Sequence, residues 1–198
     1  MAANLKDPPR HYYTLEEYFA LERAGQARYE YWDGEIVCMS GGTEAHVRIS
    51  GNVYFTLRQQ LAGRPCEAFT SDLQIKTPLL PPYRYPDVSV ACDKAVFEKI
   101  EGMDALTNPR LIVEVLSPGT ESRDRKDKRA AYQALPTLME YLFIAQDIPH
   151  LTHFLRQPEN QPETWARADY SDLTAAIALP SIECVLALSD VYLGVEFG

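Results

Sequence analysis

Hydrophobic and polar positions along this chain change period several times, and each change predicts an element. Thr14-Leu-Glu-Glu17 has the form of a capping box, with the Thr14 hydroxyl on the first turn and Glu17 reaching back. The helix it opens carries Tyr18, Phe19 and Leu21 and stops near Gly25. Two extended runs follow, Arg28 to Trp32 and Glu35 to Met39. The Asp33-Gly34 pair between them is a strong two-residue hairpin signal. Ser40-Gly-Gly42 breaks the second run. From Thr43 onward Val47, Ile49, Val53, Tyr54, Leu57 and Leu61 recur at helical spacing, until Gly63-Arg-Pro65 closes that helix.

The pattern then shortens. Cys66 to Thr70 and Asp72 to Lys76 predict strands, and Pro78 to Tyr83 a proline-rich loop. Pro86 to Cys92 and Leu111 to Leu116 are apolar runs bounded by turn residues, as core strands are. Lys94 to Asp104 between them predicts a charged, mobile connection. Ser117-Pro-Gly119 ends the second core strand, a helix is expected from about Ser122 to Ala134, and Pro136 stops it. Leu138 to Ala145 supplies a third core strand, so the segment is a β–α–β unit with parallel strands and a right-handed crossover. Strands at His153 to Arg156 and Thr164 to Ala168 and a short helix around Leu186 to Leu193 complete the chain. The fold class is α/β, one domain with a mixed central sheet flanked by helices.

Composition narrows the function. At 198 residues, 46% hydrophobic and 24% charged, the chain can bury one good core. No run approaches the roughly 20 apolar residues that cross a bilayer. The first ten residues carry no apolar signal core, which points to a cytoplasmic protein with no membrane partner. Cys38, Cys66, Cys92 and Cys184 lie far apart with no C-x-x-C pair. They are expected as reduced core or strand residues, neither zinc ligands nor a disulfide framework. The formal net charge of −9 is the reverse of the basic footprint common on nucleic-acid binders, so either any contact with nucleic acid is local and metal-assisted or the substrate is something else.

Candidate chemistry lies in the core strands. Asp87 and Glu114 each place a carboxylate inside an apolar run, and buried acids are usually paired, protonated or metal-bound. At a period of two, Asp87 shares a face with Ser89 and Ala91, and Glu114 with Ile112 and Leu116. Each also fits a structural role, Asp87 capping a turn and Glu114 pairing with an arginine. Together they form an anionic pair suited to a hard divalent cation. In the helix that follows, Asp124, Lys128 and Tyr132 make one stripe. The first turns of that helix lie at the carboxyl end of the Glu114 strand, where open α/β sheets place ligands. Glu44 and His46 begin the helix at Thr43. Tyr29, Tyr31 and Trp32 suit the core or a dimer contact better than base stacking. A glycosidase also uses paired carboxylates, but two acids in core strands suit a metal better than a sugar cleft.

Taken in order, Tyr-Glu-Tyr-Trp-Asp-Gly-Glu (29–35), Glu44-Ala-His46, Ser71-Asp-Leu73, Pro86-Asp-Val-Ser-Val90, Glu114-Val-Leu-Ser-Pro118, Asp124-Arg…Lys128…Tyr132 and Leu138-Met-Glu-Tyr141 resemble the Uma-type endonuclease family of the PD-(D/E)XK restriction-endonuclease-like superfamily. The resemblance runs from about Leu15 to Leu193. It implies a restriction-endonuclease-like fold and an endonuclease that hydrolyses phosphodiester bonds of nucleic acid, DNA first. Asp87 matches the first metal-binding acid and Glu114 the second, with the backbone carbonyl of Val115 joining them on Mg²⁺, for which Mn²⁺ could substitute. The superfamily's lysine two residues after the second acid is Leu116 here, and Lys128 on the following helix matches it, with Lys126 as fallback. His46 or Glu44 matches the polar group contributed by the first core helix. The acidic charge and Leu116 leave a second reading open: a module that kept the fold without cleavage and binds nucleic acid or a protein. A third is a homodimeric interaction module built on Tyr29, Tyr31 and Trp32.

Overall fold

Alternation of side chains on two adjacent strands sets the architecture. In the computed structural model, which describes residues 11–25, 27–32, 34–39, 41–79, 83–100, 103–117, 128–157 and 164–197, the chain forms two compact units, residues 1–40 and 41–198.

The first unit contains α1 (Leu15–Arg23), β1 (Arg28–Trp32) and β2 (Glu35–Met39). The predicted capping box is present at Thr14 and Glu17. Strands β1 and β2 pair antiparallel from Arg28↔Met39 to Trp32↔Glu35. Gly34 in their turn has φ +91°, and a Cβ there would meet the Tyr12 ring at 2.8 Å, so both conformation and space select glycine. Asp33 lies outside the described residues. Tyr18 is fully buried and donates its hydroxyl to the Tyr29 carbonyl at 3.1 Å, fastening α1 to the hairpin.

The second unit is built on a six-stranded sheet. Its strands are β3 (Cys66–Thr70), β6 (Val88–Cys92), β9 (Leu111–Leu116), β10 (Glu140–Ala145), β11 (Leu151–Arg156) and β12 (Trp165–Tyr170), in the order β12-β11-β10-β9-β6-β3. Only β9 and β10 run parallel, as the β–α–β reading requires. On β9, Leu111, Val113 and Val115 point into one core with Ile49, Val53 and Leu57 of α2 (Glu44–Gln60). Ile112 and Leu116 point into a second core with Tyr132, Leu135, Leu138, Tyr141 and Phe143. Covered on both faces, β9 reads as a continuous apolar run, and Glu114 is its one acidic residue.

A smaller sheet ordered β5-β4-β8-β7 uses β4 (Gln74–Lys76), β5 (Tyr83–Arg84), β7 (Phe97–Ile100) and β8 (Met103–Leu106). This corrects the expected mobile connection at Lys94 to Asp104, most of which forms the antiparallel hairpin β7–β8. Glu98, Lys99 and Asp104 lie outside the core while Ile100, Ala105 and Leu106 are buried, so the charges masked the few core positions. A hairpin of β13 (Ala176–Leu179) and β14 (Cys184–Ala187) leads into α4 (Leu188–Val191). Between β9 and β10, the described part of the expected helix is α3 (Arg129–Gln133); residues 118–127, with Asp124 and Lys126, lie outside the described residues.

The cysteine expectation is corrected as well. Cys66 and Cys92 are directly opposed across β3 and β6 and form a disulfide, while Cys38 and Cys184 are free. No helix among the described residues is long and apolar enough to cross a membrane.

Candidate functional site

Proline sets one end of the site. The β6–β9 register runs Val90↔Leu111, Ser89↔Ile112, Val88↔Val113, and Asp87 directly precedes β6 at the end of that ladder. Pro86 has no N–H to extend the ladder. Asp87 continues it instead: its backbone N–H donates to the Val113 carbonyl at 3.1 Å, and its Oδ2 accepts the Val115 N–H at 2.6 Å. The other carboxylate oxygen, Oδ1, lies 2.8 Å from His46 Nε2.

His46 is delivered by the first turn of α2. Thr43 caps that helix, its Oγ1 accepting the His46 N–H at 3.2 Å and lying 2.7 Å from Gln146 Oε1 just past β10. A Cβ on Gly42 would stand 3.0 Å from the His46 ring, so glycine leaves the imidazole its place. An ionised Asp87 requires the proton of neutral His46 on Nε2.

Glu114 belongs to a second cluster. Its Oε1 accepts the Tyr132 hydroxyl at 2.9 Å, and its Oε2 lies 3.3 Å from Lys128 Nζ. All three side chains are buried. The lysine distance exceeds that of a good charge-assisted hydrogen bond, so this contact is mainly an ion pair. Tyr132 is held edge-on against Tyr141, ring centroids 5.6 Å apart, which fixes the direction of its hydroxyl.

The structure therefore brings His46 to Asp87, Val115 to Asp87 through its N–H, and Lys128 to Glu114. Glu44 goes elsewhere: its side chain is 77% exposed and paired with Arg48. Sequence reasoning placed Tyr132 on the Lys128 stripe without giving it a role, although a spacing of four was the available signal. Thr43 and Gln146 carried no signal at all.

Chemically, the two carboxylates offer hard oxygen donors. The donor types suit Mg²⁺. Among the described residues, however, no three His, Cys, Asp or Glu side chains come together as a metal site. A cation at Asp87 and Glu114 would thus need backbone carbonyl and water to complete its shell. Burial of an acid in this fold is not itself functional. Glu140, fully buried on β10, pairs with His153 at 2.8 Å and accepts the Ser181 N–H at 2.6 Å.

Residues 15–189 match the family described as "Uma2: Putative restriction endonuclease". Two proteins of Synechocystis sp. (strain ATCC 27184 / PCC 6803 / Kazusa) are similar to the chain. Uncharacterized protein slr1290 is 32% identical over 197 residues, 100% of both chains. Uncharacterized protein sll1609 is 32% identical over 148 residues, 75% of this chain and 83% of that one. A crystal structure described as "a putative nuclease belonging to DUF820 from Anabaena variabilis ATCC 29413" superposes with a TM-score of 0.70 at 19% identity, covering 91% of this chain and 97% of that chain. At that identity the likeness speaks for the fold, which is α/β and restriction-endonuclease-like.

Proposed function

Because the chain belongs to the Uma2 family, a nuclease-like family, we propose that it is a metal-dependent endonuclease hydrolysing phosphodiester bonds of nucleic acid, with DNA as substrate. The observation that carries this reading is the bonding of Asp87 to Val113 and Val115, the two neighbours of Glu114 on β9, with buried Lys128 on the second acid. Asp87, Glu114 and the Val115 carbonyl would hold Mg²⁺, or Mn²⁺ in its place. The bound cation would polarise the phosphate and lower the pKa of its water. The chain's own groups do the rest. Tyr132 holds Glu114 in one orientation, and His46 holds Asp87 in one orientation. Lys128 supplies fixed positive charge against the charge that develops on the phosphate. Removing one such positioned donor costs about 2.7–4 kcal/mol of transition-state stabilisation. Enzymatic acceleration amounts to about 8–23 kcal/mol, so lysine alone does not suffice and the cation is required.

The test is calorimetric titration of Mg²⁺ and Mn²⁺ into the parent, Asp87→Asn and Asp87→Ala, with plasmid nicking on the same samples. Binding and nicking by the parent, both lost in the variants, are expected. Folded variants that nick like the parent would remove Asp87 from the site.

A second reading is a binding module without cleavage. The absence of a three-ligand cluster among the described residues favours it, as does the net charge of −9. On that reading the parent binds DNA without nicking it, and Asp87→Asn binds at least as tightly because a repulsive charge is gone.

A further inference from the structure

Helix α2 buries one face and leaves the other open. Ile49, Val53 and Leu57 are fully buried against the sheet. On the opposite side Val47 is 58% and Phe55 61% exposed, with exposed Gly51 midway between them. A Cβ added at Gly51 would meet nothing within 4 Å. Exposed apolar pairs at this spacing have no role in the core, and the cluster around Asp87 does not use them.

The spacing of the open face is symmetric about Gly51. Val47 and Phe55 lie four residues on either side, Arg48 and Tyr54 three, Glu44 and Arg58 seven. Two copies of α2 crossing antiparallel on a two-fold axis through Gly51 would set Val47 against the partner's Phe55. Glu44 would face the partner's Arg58, and symmetry makes each contact twice. The contacts are complementary in kind: apolar on apolar and acid on base, Glu44 meeting Arg58 with the carboxylate oxygen that Arg48 does not take. Glycine on the axis lets the backbones approach to the short end of the 8–10 Å range of packed helices. Antiparallel helices also oppose their dipoles favourably. Leu193, 69% exposed, widens the apolar patch, since its carbonyl accepts from Asn52 Nδ2 on α2 at 3.0 Å.

We propose that the outer face of α2 is a self-association surface, its occupant a second copy of this chain docked antiparallel about Gly51. A helix of 17 residues is about 25 Å long, and one such face buries less than the roughly 1,200–2,000 Å² of a standard stable interface. The dimer is therefore a weak one, with Kd in the micromolar range.

Sedimentation velocity across the micromolar range tests this. The parent shifts from monomer to dimer with concentration, and Phe55→Glu raises Kd by about 100-fold. Glu44→Arg and Arg58→Glu each weaken the dimer about tenfold, and the double swap restores it, which no folding defect could imitate. Gly51→Cys in a Cys38→Ser background forms an intermolecular disulfide with diamide, the reagent taking up the two thiol hydrogens. A parent that stays monomeric overturns the proposal. So does a dimer indifferent to Phe55→Glu, or a double swap that fails to restore association.

Discussion

Lys128 and Glu114 form an ion pair that water scarcely reaches, their side chains 7% and 4% exposed. Lys128→Met removes the cation while keeping most of the side-chain volume. At 3.3 Å and an effective dielectric of about 20, the lost attraction is about 5 kcal/mol. Breaking one half of a buried pair costs about 3–5 kcal/mol, because the remaining carboxylate stays buried with less to hold it. The Tyr132 hydroxyl remains on Oε1 and keeps the loss from growing larger. For a chain of this length that is a fall in Tm of about 6–20 °C. The assay is calorimetric melting of parent and variant with and without Mg²⁺. At ten times its Kd a bound cation adds about 1.4 kcal/mol to either protein. The variant should bind it more tightly, because no lysine competes for Glu114. A loss below about 1 kcal/mol would mean that the pair behaves as a solvated surface pair, and would refute the buried-pair reasoning. Melting indifferent to Mg²⁺ in both proteins would remove the cation site.

Three further outcomes follow from other contacts. His46→Ala breaks the 2.8 Å contact to Asp87 and should cost about 1 kcal/mol of stability while reducing plasmid nicking far more; unchanged nicking would clear His46 of a positioning role. The Cys66–Cys92 disulfide closes a separation of 26 residues, so Cys92→Ser should lose about 3.5 kcal/mol, and the unreduced, denatured parent should show two reactive thiols; four would discard the pairing. Burial pushes the Tyr192 hydroxyl up from 10.0 to about 12. Since its folded value lies above the unfolded one, its contribution is complete below about pH 10 and is lost as pH rises through about 12. Tyr192→Phe should flatten that alkaline limb, measured by unfolding at a series of pH values, and an unaltered limb would place the titration elsewhere.

What could be read from sequence was whatever a period or a cap determines locally. Thr14 and Glu17 announced α1, and the apolar runs announced β6, β9 and β10 with their acids in place. Readings that failed needed register. Cys66 and Cys92 are strangers in sequence and become neighbours only when β3 and β6 pair with those two positions opposite. The β7–β8 hairpin hid because its edge strand carries charge at the consecutive positions Glu98 and Lys99, and a count of charges looks like a loop. Glu44 and His46 sit two residues apart in one turn, yet they point to different surroundings. The turn itself gave no way to choose between them, whereas the structure gives Asp87 to His46 and Arg48 to Glu44.

Asp87 shows why fold and site are hard to separate here. The Val115 N–H sits on a buried strand, past the last paired residues of β6 and β9, and needs an acceptor. The Asp87 side chain fills that place. Alanine would therefore strip a buried donor of its partner, at a cost of about 1–3 kcal/mol, whether or not any cation ever binds. Asparagine keeps an amide oxygen for Val115, removes the charge and turns an NH2 donor toward His46, whose Nε2 can accept it in the other tautomer. A carboxylate retained for the ladder alone would let Asp87→Asn melt and bind Mg²⁺ like the parent. A carboxylate that serves a cation would leave Asp87→Asn folded and blind to Mg²⁺. The two carboxylate oxygens have different partners, Oδ2 at the strand end and Oδ1 at His46, and the asparagine variant is the one that tells the two roles apart.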